Sequence, residues 1–231
     1  MPVITFASSK GGVGKSTTAL ALATQLALKT KVTVIDVDPN KPLMKWQKRG
    51  GQCSGLTIVA NHDELDLMNQ IDAAAKQTPF VIVDLEGSAN IATAYAIACS
   101  SLVIIPCQPS VLDSDEASKA CKLVENENRN REEGKKIPYV VCLTKVSPAI
   151  LTRTQKHLEA SLAESNIALL QTRMVERDAY KGMFSFAQTL EQMNSKDVPG
   201  VNKAILNSRQ FTKEVVELLK AFSKSVATER S

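Results

Sequence analysis

The chain has 231 residues, 44% of them hydrophobic and 23% charged, with a formal net charge of +4. That composition excludes a disordered, collagen-like or disulfide-framework protein, and no stretch reaches the roughly 18 apolar residues a membrane span needs. Five cysteines without C-x-x-C pairing and two distant histidines (His62, His157) offer no recognisable zinc site. A reduced, cytoplasmic setting is therefore expected. The small positive charge hints at an anionic partner. The length suits one α/β unit over residues 1–231, and a glycine-rich loop this close to Met1 leaves no room for a leader peptide.

In chain order, Val3 to Ala7 reads as a strand, Ser8 to Thr17 as a glycine-rich turn, and Thr18 to Leu28 as an Ala/Leu-rich helix. Lys31 to Pro39 is a buried strand ending in Asp36 and Asp38. A short helix from Lys41 to Arg49 carries the only Trp, Trp46, before the Gly50-Gly51 break. Leu56 to Ala60 is a strand, Asp63 to Lys76 a helix capped by Asp63, and Phe80 to Asp84 a strand apolar enough to be covered on both faces. Ile91 to Cys99 is helical. The strand Leu102 to Ile105 is closed by Pro106 and Pro109, and a long helix runs from Asp113 to Glu133, its second half solvated. Ile137 to Thr144 is a strand, Thr152 to Glu164 a helix, and Ile167 to Gln171 a short strand. A final helical pattern spans Val201 to Ala227, with a break expected near Ser208. Alternating strands and helices imply a mostly parallel sheet with helices on both faces. Ligands of such sheets lie at the strands' carboxyl ends, where the turn, Asp36, Asp38 and Asp84 all fall.

Strand, glycine-rich turn, helix is the context of a phosphate-binding loop. Gly11, Gly12, Val13 and Gly14 would present backbone N–H groups to an anion, helped by the free N–H groups and dipole of the helix start at Ser16 and Thr17. Lys15 would reach the β- and γ-phosphates, and the Ser16 hydroxyl would ligate Mg²⁺. Asp84, after four apolar residues, would hold the same cation through a water. The alternative is an Asp that caps the next turn.

Lys10-Gly11-Gly12-Val13-Gly14-Lys15-Ser16 matches K-G-G-x-G-K-[ST], with Ser9 where the ordinary loop has glycine. It resembles the deviant Walker A motif of the ParA/MinD family of P-loop ATPases. The resemblance implies ATP and Mg²⁺ as ligands, slow partner-stimulated hydrolysis, and a homodimer in which Lys10 reaches the phosphates of the facing subunit. Asp36-Val37-Asp38-Pro39 resembles the family's D-x-D-P segment, which implies that Asp38 orients the attacking water and Asp36 supports the metal shell; a helix-capping acidic pair is the alternative. Thr144, and Met174, Val175 and Glu176, fall where the family contacts the base, although plain surface loops fit them equally well. Glu86, where many relatives have proline, has no assigned role, and its charge beside a γ-phosphate would have to be turned away or paired. Lys41 to Trp46 and Glu176 to Tyr180 are also similar to ParA-like proteins of conjugative and T-DNA transfer systems.

The resemblance implies non-specific DNA binding by an ATP-bound dimer, with an unidentified adaptor that stimulates hydrolysis; such a protein would associate with the nucleoid. Arg209, Lys213 and Lys220, among Lys196, Lys203 and Lys224, are candidates for the phosphate-facing patch, against the alternative of scattered solubility charges. A MinD-like membrane-positioning role is the second reading. Its candidate is the stripe Val215, Leu218, Leu219, Phe222 and Val226, which core docking also explains, and Ala227 to Ser231 would make a poor anchor. A nitrogenase-like iron protein is rejected because Ser100-Ser101 follows Cys99 where that motif carries glycine. A small-molecule ligase or kinase gives no reason for Lys10.

Overall fold

The computed structural model describes residues 1–88, 90–129, 131–132 and 135–228, the last four without their side chains. Six strands form one sheet: β1 (Val3–Phe6), β2 (Val32–Asp36), β3 (Leu56–Ala60), β4 (Phe80–Asp84), β5 (Leu102–Cys107) and β6 (Tyr139–Leu143). Their order is β3-β2-β4-β1-β5-β6 and every pairing is parallel. Side chains alternate across the pleat. Ile4, Phe6, Val34, Ile82 and Ile104 pack on one face beneath helices α1 (Lys15–Ala27), α2 (Pro42–Lys48), α7 (Asp178–Phe186) and α8 (Val201–Thr228). Val3, Ile35, Val83, Val103 and Ile105 pack on the other, beneath α3 (Leu67–Gln77), α4 (Ile91–Ala98), α5 (Val111–Asn128) and α6 (Arg153–Glu164). Both faces are dry, which is why the strands read as continuous apolar runs.

β1 is central, between β4 and β5. The chain leaving β1 crosses to β2 on one side, and the chain leaving β4 crosses to β5 on the other. The connections therefore diverge at the carboxyl ends of β1 and β4, where a crevice opens for a ligand. Phe6 and Asp36 are both in register with Asp84, so the loop after β1 and the two carboxylates share one edge.

The expected elements are corrected in several places. β5 runs through Pro106 to Cys107, because Pro106 faces the side where β1 has already ended, and no ladder bond is lost there. The Ile167 to Gln171 segment makes only an isolated bridge, Val141 to Leu169, before α8 diverts it: Glu214 accepts hydrogen bonds from the N–H groups of Gln171 (2.7 Å) and Thr172 (2.8 Å). α8 is unbroken at Ser208, whose small, fully buried side chain faces α1 and donates to the Ala21 carbonyl (3.3 Å). Asp63 caps a 3-10 turn, Glu64–Asp66, and α3 starts only at Leu67. α5 begins earlier than expected, capped by Ser110, and ends at Asn128; Asn130 and Glu133 of the longer expected helix lie outside the described residues. α7 is an added element, decided by the packing of its buried Ala179, Tyr180 and Met183 against α1 and α8.

Of the apolar stripe on α8, Val215 and Leu219 are buried in the core, and Leu218 and Phe222 pack against it. The stripe is core-facing rather than free for a membrane. The Val226 side chain and Glu229 to Ser231 lie outside the described residues. Among the described residues no helix is long and apolar enough to cross a membrane.

Candidate active site

The loop between β1 and α1 turns at Gly14, which caps α1 with φ +98°, a conformation that favours glycine. α1 therefore starts at Lys15, three residues before the apolar pattern suggests. Ser16 and Thr17 occupy its first turn, half-buried, and that turn's N–H groups open toward the crevice. Lys15 is buried and donates to the Lys10 carbonyl (3.0 Å). Burial pushes its pKa down, and Asp84, Asp38 and Glu86 partly restore it.

Lys10 lies on the loop's outer side. Its amine pairs with Asp113 Oδ1 at 2.9 Å, with the Lys10 side chain 40% exposed and that of Asp113 only 6%. Ser9 donates to the Glu116 carbonyl (2.8 Å), so the first half of the loop is tied to α5. The second half is tied to the end of β6: Thr144 donates to the Val13 carbonyl (2.6 Å) and Lys145 to that of Gly12 (2.7 Å). Gln108 also donates to Gly12 (3.1 Å).

Asp84 is fully buried, and neither of its oxygens has a hydrogen-bond partner of good geometry. Burial pushes its carboxyl up to about 7; the nearby Ser16 hydroxyl opposes the shift and Asp36 adds to it. Asp36 is also buried. Its Oδ2 accepts from the N–H groups of Leu43 and Met44 (both 2.9 Å), capping α2, while Oδ1 has no partner. Burial pushes this carboxyl up to about 6, against those two N–H bonds. The helix-capping alternative is thus real for one Asp36 oxygen, leaving a single oxygen for any metal shell.

Orphaned carboxylate oxygens beside a hydroxyl are costly unless a cation fills the gap. All are hard oxygen donors, and the set fits Mg²⁺, which takes one or two carboxylates and draws its other oxygens from phosphates and water. No three His, Cys, Asp or Glu side chains gather as a metal cage among the described residues. The donors suit a cation that arrives with a phosphate ligand.

Asp38 is half-buried just past β2, and its Oδ1 accepts from Asn40 N–H (2.8 Å). Glu86 is paired with the Ser88 hydroxyl (2.9 Å). Gly87 follows because its backbone presses on the phosphate loop: a Cβ there would come within 2.6 Å of Gly11 N. The loop after β4 is thereby packed directly on Lys10 and Gly11.

Beside Gly14 and Thr17 a cleft opens, floored by Thr144 and Lys145 and walled by Met174, Val175 and Glu176. The base-site candidates Thr144, Met174, Val175 and Glu176 are therefore together. Arg209, Lys213 and Lys220 line a different concavity, of about 740 Å³, between α8 and the end of α1, joined by Lys29. Arg209 comes within 3.9 Å of Glu191 and Lys213 within 3.8 Å of Glu217. Asp113, Gln108 and Gly87 escaped sequence reasoning. Ser110-x-x-Asp113 is a capping pattern that would have placed the helix start, but nothing local announces the contact with Lys10.

A family model described as VirC1 protein matches residues 1–228. The chain belongs to the VirC1 family. It is similar to protein ParA of Rhizobium radiobacter, 36% identical over 220 residues that cover 95% of this chain and 98% of that one. An ATP complex of a McdA variant from Cyanothece superposes with a TM-score of 0.70 at 14% identity, covering 94% and 96% of the two chains. MinD of Aquifex aeolicus superposes with a TM-score of 0.69 at 17% identity, covering 92% and 98%. This VirC1-family chain is thus a P-loop ATPase of the ParA/MinD type.

Proposed function

We propose that this protein is an ATP-driven switch for DNA partition or transfer, acting as one unit over its length. Mg²⁺-ATP binding at the loop produces a homodimer, the dimer binds DNA non-specifically, and an adaptor protein stimulates slow hydrolysis. The division of labour between Lys10 and Lys15 carries the reading. Lys15 is buried and turned inward, within reach of phosphates bound by its own loop. Lys10 is half-exposed and held at the open side, where a facing subunit would meet it. The resemblance of the loop to the ParA/MinD motif supports partition, and the similarity of Lys41 to Trp46 and Glu176 to Tyr180 to ParA-like proteins of transfer systems supports transfer.

Gly11 to Gly14, Ser16 and Thr17 would cradle the phosphates, and the base would lie against Thr144 and Met174 to Glu176. Ser16, Asp84 and one oxygen of Asp36 would hold Mg²⁺, which supplies charge neutralisation at the β- and γ-phosphates. Asp38 would fix the direction of an attacking water. Lys15, and Lys10 from the partner, would stabilise charge on the transferred phosphoryl group. The Ser88 hydroxyl donates to Glu86 and fixes its direction, and the carboxylate stays near enough to Lys15 to favour that lysine's charged form. Arg209, Lys213 and Lys220, brought to one groove, would meet DNA phosphates.

Sedimentation with ATP, ADP or no nucleotide, each with DNA of mixed sequence or with lipid vesicles, tests the scheme. Co-sedimentation with DNA only in ATP is expected, with none on vesicles. DNA binding indifferent to nucleotide would contradict it.

A further inference from the structure

The wall of the base cleft is not self-supporting. The segment Met174 to Glu176 lies beside the end of β6, through Met174 N–H to the Leu143 carbonyl (2.8 Å), Val146 N–H to Met174 (3.2 Å) and Glu176 N–H to Val146 (2.8 Å). Those bonds hold one edge only. The other edge faces α8, where Asn207 is buried directly behind it. Asn207 Oδ1 accepts from Val175 N–H (3.1 Å), and its Nδ2 donates to the Arg173 carbonyl (2.8 Å). One amide thus clamps the backbone on both sides of Met174. The Tyr180 hydroxyl lies 3.2 Å from both Asn207 Oδ1 and the Ala204 carbonyl, and Tyr180 itself lines the cleft. Two turns further along α8, Glu214 holds Gln171 and Thr172 by their N–H groups.

We propose that Asn207 is a positioning residue for base recognition. It fixes the Met174–Glu176 backbone at the height and angle from which that backbone reads the nucleobase, with Tyr180 and Glu214 as its supports. Asn207 does not touch the nucleotide. A long polar tether elsewhere would serve folding equally well, but the amide's bidentate grip on Arg173 and Val175 defines a wall position to within a fraction of an ångström. Base recognition needs that accuracy, whereas the glycine-rich loop that borders the cleft at Gly14 and Thr17 is held by its own bonds to Thr144 and Lys145. The proposal rests on the reading of this cleft as the base site.

The test compares ATP with inorganic triphosphate, which lacks the base, and with GTP, by equilibrium binding to the whole protein in Mg²⁺. Asn207→Ala should weaken ATP about ten-fold, the usual cost of a lost buried hydrogen-bond clamp, and leave triphosphate within about two-fold. ATP over GTP discrimination should fall with it. Asn207→Asp keeps the acceptor for Val175 but turns a second acceptor oxygen onto the Arg173 carbonyl, so a loss at least as large, again confined to ATP, is expected; Tyr180→Phe, which removes only the hydroxyl behind Asn207, should give a smaller loss in the same direction and serves if neither variant folds. Equal weakening of ATP and triphosphate, or no change in either, would overturn the positioning role. Val175→Trp, which fills the cleft, separates the two levels. If it leaves ATP affinity unchanged, the base lies elsewhere and the proposal falls with the site. If it abolishes the preference for ATP over triphosphate while both Asn207 variants do not, the site stands and Asn207 is only structural.

Discussion

At the proposed phosphate end of the site, between β1 and α1, the loop's lysines and carbonyls are engaged by the chain itself, while the Asp84 oxygens have no partner. Lys15 bonds to the Lys10 carbonyl, Lys10 to Asp113, and Lys145 and Gln108 to the Gly12 carbonyl. At the base end, a wall is fixed from behind by Asn207 and Glu214 and faces an open cleft. In the proposed scheme one end would exchange internal partners for ligand while the other is already shaped, so affinity and switching would be housed separately. A pre-formed cleft lowers the ordering cost of binding, whereas contacts that must break can report which nucleotide is present.

The largest expected effect comes from removing the phosphate end's main cation. Lys15→Ala should lose at least about 100-fold in affinity for ATP and triphosphate alike, since a buried charge-assisted contact disappears from both. Equilibrium binding checks this, and a variant that loses ATP but keeps triphosphate would reverse the roles of the two ends.

Next in size is the cation gap. Burial holds Asp84 up at about 7, well above its ordinary value. A raised carboxyl favours the protonated folded form, so this stability is complete below about pH 4 and is lost as pH rises through about 7. Nucleotide-free protein should therefore lose about 2–4 kcal/mol between pH 5 and 8 from this group. Asp84→Asn should remove most of that slope, leaving the smaller contribution of Asp36, which has the same sign. Thermal or urea unfolding across pH, with and without Mg²⁺-ATP, reads it out; the ligand should rescue the native protein at pH 8 and not the variant. An unchanged slope in Asp84→Asn would show that the gap carries no stored cost.

The smallest effect should come from a region belonging to neither end. Charge reversal at Arg209 and Lys213 should leave ATP affinity unchanged within about two-fold and flatten the salt dependence of DNA binding, each lost phosphate contact reducing the logarithmic slope by about 0.9. A salt titration of DNA binding in ATP measures it. An intact slope would confine these residues to solubility, in keeping with their nearby acidic neighbours Glu191 and Glu217.

The phosphate end was far more legible in the sequence than the base end. The contiguous run Lys10 to Thr17 encodes a loop whose geometry is local, fixed by glycine dihedrals and the helix start. Asp36 and Asp84 were legible because apolar strands announce their own carboxyl ends. The strand order, by contrast, pairs segments remote in sequence, the clamp from Asn207 to Val175 joins residues 32 apart, and Lys10 to Asp113 joins residues 103 apart. No periodicity carries such pairings. α7 and the single bridge at Leu169 were lost for a related reason: packing against α8 decides them, and their own propensities do not.

The central claim is that Lys10 acts on the nucleotide of a facing subunit, and mixing two inactive variants tests it most directly. Lys10→Ala should bind ADP nearly as well as the native protein but dimerise and hydrolyse poorly. Asp38→Ala should bind ATP and dimerise without turning over. In a mixed dimer the intact Lys10 faces the site whose own Asp38 is intact, so one of the two active sites is restored. Hydrolysis in the mixture should rise well above the sum of the variants measured apart, toward half the native rate per mixed dimer. If mixed dimers form and activity does not exceed that sum, Lys10 serves only its own subunit and the account is wrong at its centre.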